Sequence, residues 1–503
     1  MPPISLFSRI AFFLLVVALG SVLPERVQSS ETLRLGAPFS DHMVVQADAP
    51  VRIWGWDAPG QAIAVQLAGH AAKTTADDQG YWQVAMPEID DPGPYQLVVK
   101  GSIKIKLVDV VAGEVWWCSG QSNMVWPIDR SDGKDNALSM PPQPNVRFMK
   151  VPLTSADEPQ NDVDAKWVVS KQATRGDFSA VAFFFGTELH RELDRPIGLI
   201  QSAWGGSKIR AWVPPEELAK NPQASLIDQQ YEQDKADFQA ALENWRRDGR
   251  QGKPPTMRGA GANQKPSGLA HAMFHPFESL SIRGVLWYQG ESDAGTPKLY
   301  DDLFESLVSA WRNGFANPKL PVYFVQLPNF SAGGADWSAF RNQQRLTAER
   351  LPDVQMAVTI DVGKARDIHP PNKLAVGQRL AKLALAYTYG QVDPAAGSPR
   401  PVEASRNPEQ FSGVRIKFDR VGSGLKTNDD GSPPLAFELV DDTGNRHQAV
   451  AKIVAADTVE VSHPAIAKPS RVLYAHQPNP QVNLINSSDL PVTPFAITID
   501  DGK

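Results

Sequence analysis

Hydrophobic and polar positions follow three successive rhythms along the chain. Over residues 33–111 the apolar positions come in short runs, at 51–54, 65–67, 81–84 and 95–99. Turn-forming clusters separate them: Ala58-Pro59-Gly60, Asp77-Asp78-Gln79-Gly80 and Asp91-Pro92-Gly93-Pro94. Short strands at that spacing predict a small β-sandwich. From Ala112 the rhythm becomes strand, loop, helix. Apolar runs at 115–118, 197–203, 284–288, 322–327 and 356–360 predict buried strands, with helical patterns at 180–191, 299–311 and 372–387 between them. Such alternation predicts an α/β fold with a doubly wound parallel sheet. From about Pro399 the β pattern returns, at 413–418, 436–440, 459–461 and 472–474. The predicted organisation is an N-terminal β-sandwich over 30–111, an α/β domain over 112–398 and a C-terminal β region over 399–503. Residues 214–267 interrupt the α/β domain and read as a solvated helical insertion with a mobile tail overhanging its crevice.

In doubly wound sheets the ligand crevice lies beyond the carboxyl ends of the strands, so the residues that follow each strand carry the chemistry. The first strand leads into G-E-V-W-W-C-S-G-Q-S-N-M, which sets Ser122 on a tight turn beside free backbone N–H groups. A nucleophile wants that setting, although serine there also serves as a helix cap. The second strand ends on Trp204-Gly205-Gly206, where glycines permit close backbone approach. The third ends on Gln289-Gly290-Glu291-Ser292-Asp293, and the last on Asp361 followed by Arg366-Asp367-Ile368-His369. A hydroxyl, two flexible donors, an amide and an acid–histidine pair thus converge on one edge. Three rival chemistries use nearby residues. Cys118 is an alternative nucleophile, though its place inside a strand favours a buried role. Glu291 with Asp293 or Asp361 offers the paired carboxylates of a glycosidase. His271 and His275 have a metal-ligand spacing but no third ligand in view, so no metal is expected.

Composition narrows the partners. A net charge of −6 over 503 residues gives no reason to expect nucleic acid. Thirteen tryptophans suit stacking on sugar rings as well as core packing. Arg9, the apolar run 10–20 and the small residues at Val27-Gln28-Ser29 read as a signal peptide over 1–29. The mature chain is therefore expected to be exported to a bacterial periplasm or cell exterior, with no transmembrane segment after cleavage. A single cysteine leaves it without an internal disulfide.

The blocks G-E-V-W-W-C-S-G-Q-S-N-M, S-A-W-G-G-S, G-V-L-W-Y-Q-G-E-S-D and D-I-H-P-P-N-K resemble the sialate O-acetylesterase family of the SGNH hydrolase superfamily. The resemblance implies a serine carbohydrate O-acetylesterase that needs no cofactor. It implies Ser122 as nucleophile, His369 as general base and Asp367 as the acid that orients it. It further implies an oxyanion hole from the Ser122 N–H, a glycine N–H at Gly205 or Gly206, and the Gln289 side chain. Asp367 stands two residues before the histidine where the superfamily has three, which keeps Asp361 as a second candidate acid. Arg210 stands where relatives commonly carry Glu, a departure that bears on substrate preference. The implied partner is an acetylated carbohydrate, either sialic acid or a plant polysaccharide such as xylan or xyloglucan. A non-catalytic sugar-binding protein is the rival from another class, but a binder has no need of Ser122, Gln289 and His369 together.

Overall fold

One strand runs from the N-terminal region into the centre of the molecule. This strand, β1, spans Lys104–Gly120. Its first half alternates exposed and half-buried positions and pairs antiparallel with Tyr95–Lys100. From Val110 to Gly120 every residue is buried, the signature of a strand covered on both faces. The sequence divided the chain at 111/112, but β1 continues through that point. Turn chemistry marks the ends of strands, and none interrupts Val108 to Trp117. The computed structural model describes residues 32–500 apart from 258, 332, 407–412, 430 and 467, so the leader expected over 1–29 lies outside the described residues.

The central sheet adds β2 (Gln143–Lys150), β3 (Trp167–Ser170), β4 (Ile197–Ala203), β5 (Gly284–Tyr288), β6 (Val322–Val325) and β7 (Val354–Ala357). Their order is β3-β2-β4-β1-β5-β6-β7. All neighbours are parallel except β3 with β2. Strand alternation sends Trp116, Cys118, Leu286 and Tyr323 to one face, against the helices Ala180–Leu193 and Lys373–Tyr387. Trp117, Trp287 and Phe324 go to the other, against Pro297–Gly314 and Trp337–Arg350. Helices therefore cover both faces. Strand β2 and the helix Trp337–Arg350 did not stand out in the sequence.

Antiparallel β structure flanks this layer at both ends. On the N-terminal side Val51–Trp56 pairs with Tyr81–Met86, while Ala62–Leu67 lies between His70–Thr75 and Tyr95–Lys100. On the C-terminal side Gly413–Asp419 pairs with Arg400–Arg406 and Thr458–Ser462, and Arg471–Tyr474 with Phe437–Val440 and Phe495–Thr498. Most tryptophans are core residues, Trp82, Trp116, Trp117, Trp287 and Trp311 among them. No helix among the described residues is long and apolar enough to cross a membrane.

At the amino end of the parallel strands sits a buried ionic knot. Glu114, fully buried, accepts hydrogen bonds from Arg195 at 3.1 Å, Arg283 Nε at 2.5 Å and the Tyr389 hydroxyl at 3.0 Å. It ties the start of the central strands to the helix end at Tyr389.

Candidate active site

Three strand ends stand level. Gly120 pairs with Ala203 on one side and Tyr288 on the other, so their loops leave the sheet at the same height. Gly120 has φ +137°, and a Cβ there would lie 2.2 Å from the Tyr288 carbonyl oxygen, so only glycine fits. One residue later the chain turns into a short helix, α1 (Ser122–Val125), which Gln121 joins to β5 through its N–H on Tyr288 O at 2.9 Å. Ser122 is the first residue of α1, so its N–H lies outside the helix's own bonding.

The Ser122 hydroxyl and His369 Nε2 lie 2.8 Å apart, although 247 residues separate them. Trp126 stacks on the imidazole at 5.2 Å between centroids. Gly205 faces the serine so closely that a Cβ on it would lie 3.4 Å from Ser122 Cβ. The turn from Trp204 to Ser207 is closed by Ser207 N–H on Trp204 O at 3.2 Å, with Gly206 at φ +73°. Neither Gly205 N–H nor Gly206 N–H has a hydrogen-bond partner among the described residues.

The acid and the amide sit differently from their expected roles. Asp367 accepts a hydrogen bond from the main-chain N–H of His369 at 2.9 Å, and no hydrogen bond joins it to the ring. Asp361 is held by Arg379 through two contacts of 2.6 Å, which removes it as a partner for the histidine. Gln289 is fully buried and donates to Ser207 O at 3.1 Å and Asp293 Oδ2 at 2.5 Å. Both amide hydrogens are thereby committed, so Gln289 has none for the crevice. Asp293, four residues on, pulls the amide inward and also accepts from Ile209 N–H at 2.9 Å.

Behind Ser122 lies a network that the motifs contained but their spacing did not reveal. Asn123 donates to Glu291 Oε1 and, at 3.0 Å, to Ile368 O, and its own oxygen accepts from Lys373 Nζ. Lys373 is fully buried, its ammonium 5.1 Å from the Tyr288 ring centre. Burial pushes it down to about 7, against the opposing pull of Glu291 and Asp367. Burial raises the Glu291 carboxyl above its usual range. His369 is pushed below the ordinary imidazole value, first by burial and then by Lys373, while Asp367 pulls the other way. The ring is accordingly neutral at pH 7, with a lone pair available for a proton.

The rival chemistries find their residues otherwise engaged. Cys118 is buried in the sheet, and burial drives its thiol far up. Glu291 holds Asn123, and Asp293 holds Gln289 and Ile209. His271 Nδ1 lies 3.3 Å from Ala156 O, and His275 pairs with Glu278 at 2.9 Å. No cluster of three or more His, Cys, Asp or Glu placed to hold a metal occurs among the described residues.

A family model described as carbohydrate esterase, sialic acid-specific acetylesterase, matches residues 268–386. Sialate O-acetylesterase from Mus musculus is 27% identical over 413 residues, 73% of this chain and 76% of the mouse protein. The Homo sapiens protein is 28% identical over 433 residues, 76% of this chain and 77% of its own. A crystal structure of a carbohydrate acetylesterase from Xanthomonas citri superposes with a TM-score of 0.81 and 33% identity, covering 93% of this chain and 99% of that one. The chain belongs to the sialate O-acetylesterase family. As a member of this esterase family it is a carboxylic ester hydrolase, and its α/β layer with flanking β regions is shared with the Xanthomonas citri acetylesterase over almost the full length.

The insertion expected at 214–267 departs from its sequence reading at one end. Its helix, Ala224–Arg247, is largely exposed, with Ile227 and Tyr231 buried. The end of its tail is tethered, since Arg210 donates to Gln264 O and Gly259 O, each at 2.8 Å. Arg210 is buried, and its guanidinium braces the insertion. Glycine, proline and basic residues suggested a free tail, but one buried guanidinium collects two of its backbone carbonyls.

Proposed function

We propose that the chain is a serine carbohydrate O-acetylesterase in which Ser122 is the nucleophile and His369 the general base. The observation that carries this reading is the 2.8 Å hydrogen bond between the Ser122 hydroxyl and His369 Nε2, at the carboxyl edge of a parallel sheet. The reaction runs in two steps. His369 Nε2 takes the serine proton as Oγ attacks the acetyl carbonyl carbon, and the negative charge gathers on the carbonyl oxygen. The Ser122 N–H and the free N–H groups of Gly205 and Gly206 are the donors for that oxygen. The intermediate collapses, His369 returns the proton to the leaving sugar oxygen, and acetyl-Ser122 remains. Water, deprotonated by the same ring, then releases acetate and restores the serine. In this reading Asp367 acts by fixing the main chain at His369 and through its charge.

The substrate class follows from the family: acetylated sugars, with sialic acid and acetylated plant polysaccharides such as xylan or xyloglucan as the two candidates. The doubly wound arrangement and the motif order support placement among SGNH hydrolases. The leader-like residues 1–29 support export. Acetate release from 9-O-acetyl sialic acid, acetylated xylan oligosaccharides and an aryl acetate tests the reading. Release abolished in Ser122→Ala supports it, full activity in that variant overturns it, and the ranking of substrates names the sugar.

A further inference from the structure

The Trp204–Ser207 turn that approaches Ser122 contains two adjacent glycines, and adjacent glycines leave a turn's peptide planes free to flip at little cost. The carbonyls of its three internal peptides are nevertheless held. Trp204 O accepts from Ser207 N–H within the turn at 3.2 Å. Gly205 O accepts from Asn263 Nδ2 and Gly206 O from Gln264 Nε2, each at 2.8 Å. Both side chains belong to the end of the insertion, 58 residues further along the chain. That end is braced in turn by Arg210, which receives Ser267 N–H on its own carbonyl at 3.0 Å and bonds Gln264 O and Gly259 O through its guanidinium.

In a trans peptide the N–H points opposite the preceding carbonyl. Fixing Gly205 O therefore fixes the direction of Gly206 N–H, and fixing Trp204 O does the same for Gly205 N–H. Both N–H groups lie beside the nucleophile and have no partner among the described residues. An oxyanion donor works only if its direction is set before charge develops, because reorientation during the reaction costs what the hydrogen bond returns.

From this geometry we infer that Asn263 is a positioning residue for the oxyanion hole. Its amide clamps the Gly205–Gly206 peptide, and Gln264 clamps the next one. Asn263 acts through the turn and takes no part in binding the sugar or moving a proton. The inference rests on the assignment of Ser122 and the glycine turn under Proposed function.

The experiment compares Asn263→Ala, Asn263→Asp, Gln264→Ala and Ser122→Ala with the full chain on an aryl acetate, recording kcat and KM separately and confirming folding by circular dichroism. Asn263→Asp keeps the shape but exchanges the donor for a carboxylate oxygen facing Gly205 O, so it reports the hydrogen bond rather than the volume. The expected result is a fall in kcat of about 10- to 100-fold in both Asn263 variants, below the ~10²–10³ for loss of a whole oxyanion donor, with KM within about twofold. Gln264→Ala falls less. Wild-type kcat in Asn263→Asp, or a loss carried entirely by KM, overturns the inference. Full activity in Ser122→Ala instead removes the site assignment beneath it. A dead Ser122→Ala beside fully active Asn263 variants removes only the clamp.

Discussion

Asp367 bonds the main-chain N–H of His369, at 2.9 Å, and leaves the imidazole ring to other groups. Where a triad acid grips the ring, replacing it by its amide costs about 10⁴ in kcat because the tautomer is lost. Here the amide oxygen of Asp367→Asn still accepts from the same N–H, and the charge alone is removed. We expect kcat to fall less than about 100-fold. Loss of the negative charge also lowers the His369 pKa, so the base stays unprotonated to lower pH and the acid limb of kcat/KM moves down. A 10⁴-fold loss would show that the carboxylate reaches the ring during turnover.

Lys373 pushes in the opposite direction. Its buried ammonium helps hold His369 below the ordinary value. Below about pH 7 the lysine is charged and its influence is present, and above that the proton leaves. Lys373→Met should therefore raise the His369 pKa and move the acid limb of the pH–rate profile upward. An unchanged limb would mean that the two groups do not interact across Asn123.

Asp361 provides a control. Its carboxylate is taken by Arg379 in two contacts of 2.6 Å, so Asp361→Asn should keep kcat within a few-fold of the parent. If steady-state assays on the aryl acetate found a loss larger than that of Asp367→Asn, the two acids would have to exchange roles.

Cys118 should be chemically silent. Burial raises its thiol so far that no thiolate forms at pH 8, and the side chain has no solvent-exposed surface. Incubation of the native enzyme with iodoacetamide at that pH should leave activity unchanged and the cysteine unmodified by mass spectrometry.

Glu114 carries stability instead of chemistry. Removing its charge in Glu114→Ala would leave Arg283 and Arg195 without their shared buried acceptor. Both arginines keep partial contact with water, which places the expected cost at about 2 kcal/mol, below the ~3–5 for a fully buried pair. Urea denaturation would read the loss, with kcat of the folded fraction unaltered.

What the sequence revealed depended on whether one segment's own composition carried the information. Strands 197–203 and 284–288 stood out because their residues are largely apolar, as strands buried on both faces require, and turn residues follow. The serine and histidine blocks announced themselves as motifs. The helix Trp337–Arg350 did not, since Ser338, Arg341, Gln344, Arg345 and Thr347 make most of the face it buries polar, with only Trp337 and Phe340 as apolar anchors. Arg341 donates to carbonyls of Ala475, Gln477 and Pro478 in the C-terminal β region, partners no local pattern can foretell. Gln289 was placed correctly at its strand end, but the direction of its amide was decided by Asp293 and by Ser207, 82 residues upstream. Asn263 lay in what read as a loose tail, and its importance depends on a contact with Gly205 that spans 58 residues.

The continuity of β1 means that this protein cannot be treated as beads on a string. Lys104–Gly120 is edge strand, crossing and nucleophile support in one piece of backbone. A catalytic fragment started at residue 112 would strip the hydrogen-bonded neighbours Val44–Gln46 and Tyr95–Lys100 from the strand that ends two residues before Ser122. Recombination that trades whole modules at their junctions finds no junction here. The front portion and the reaction centre share one backbone strand and are expected to fold as a unit.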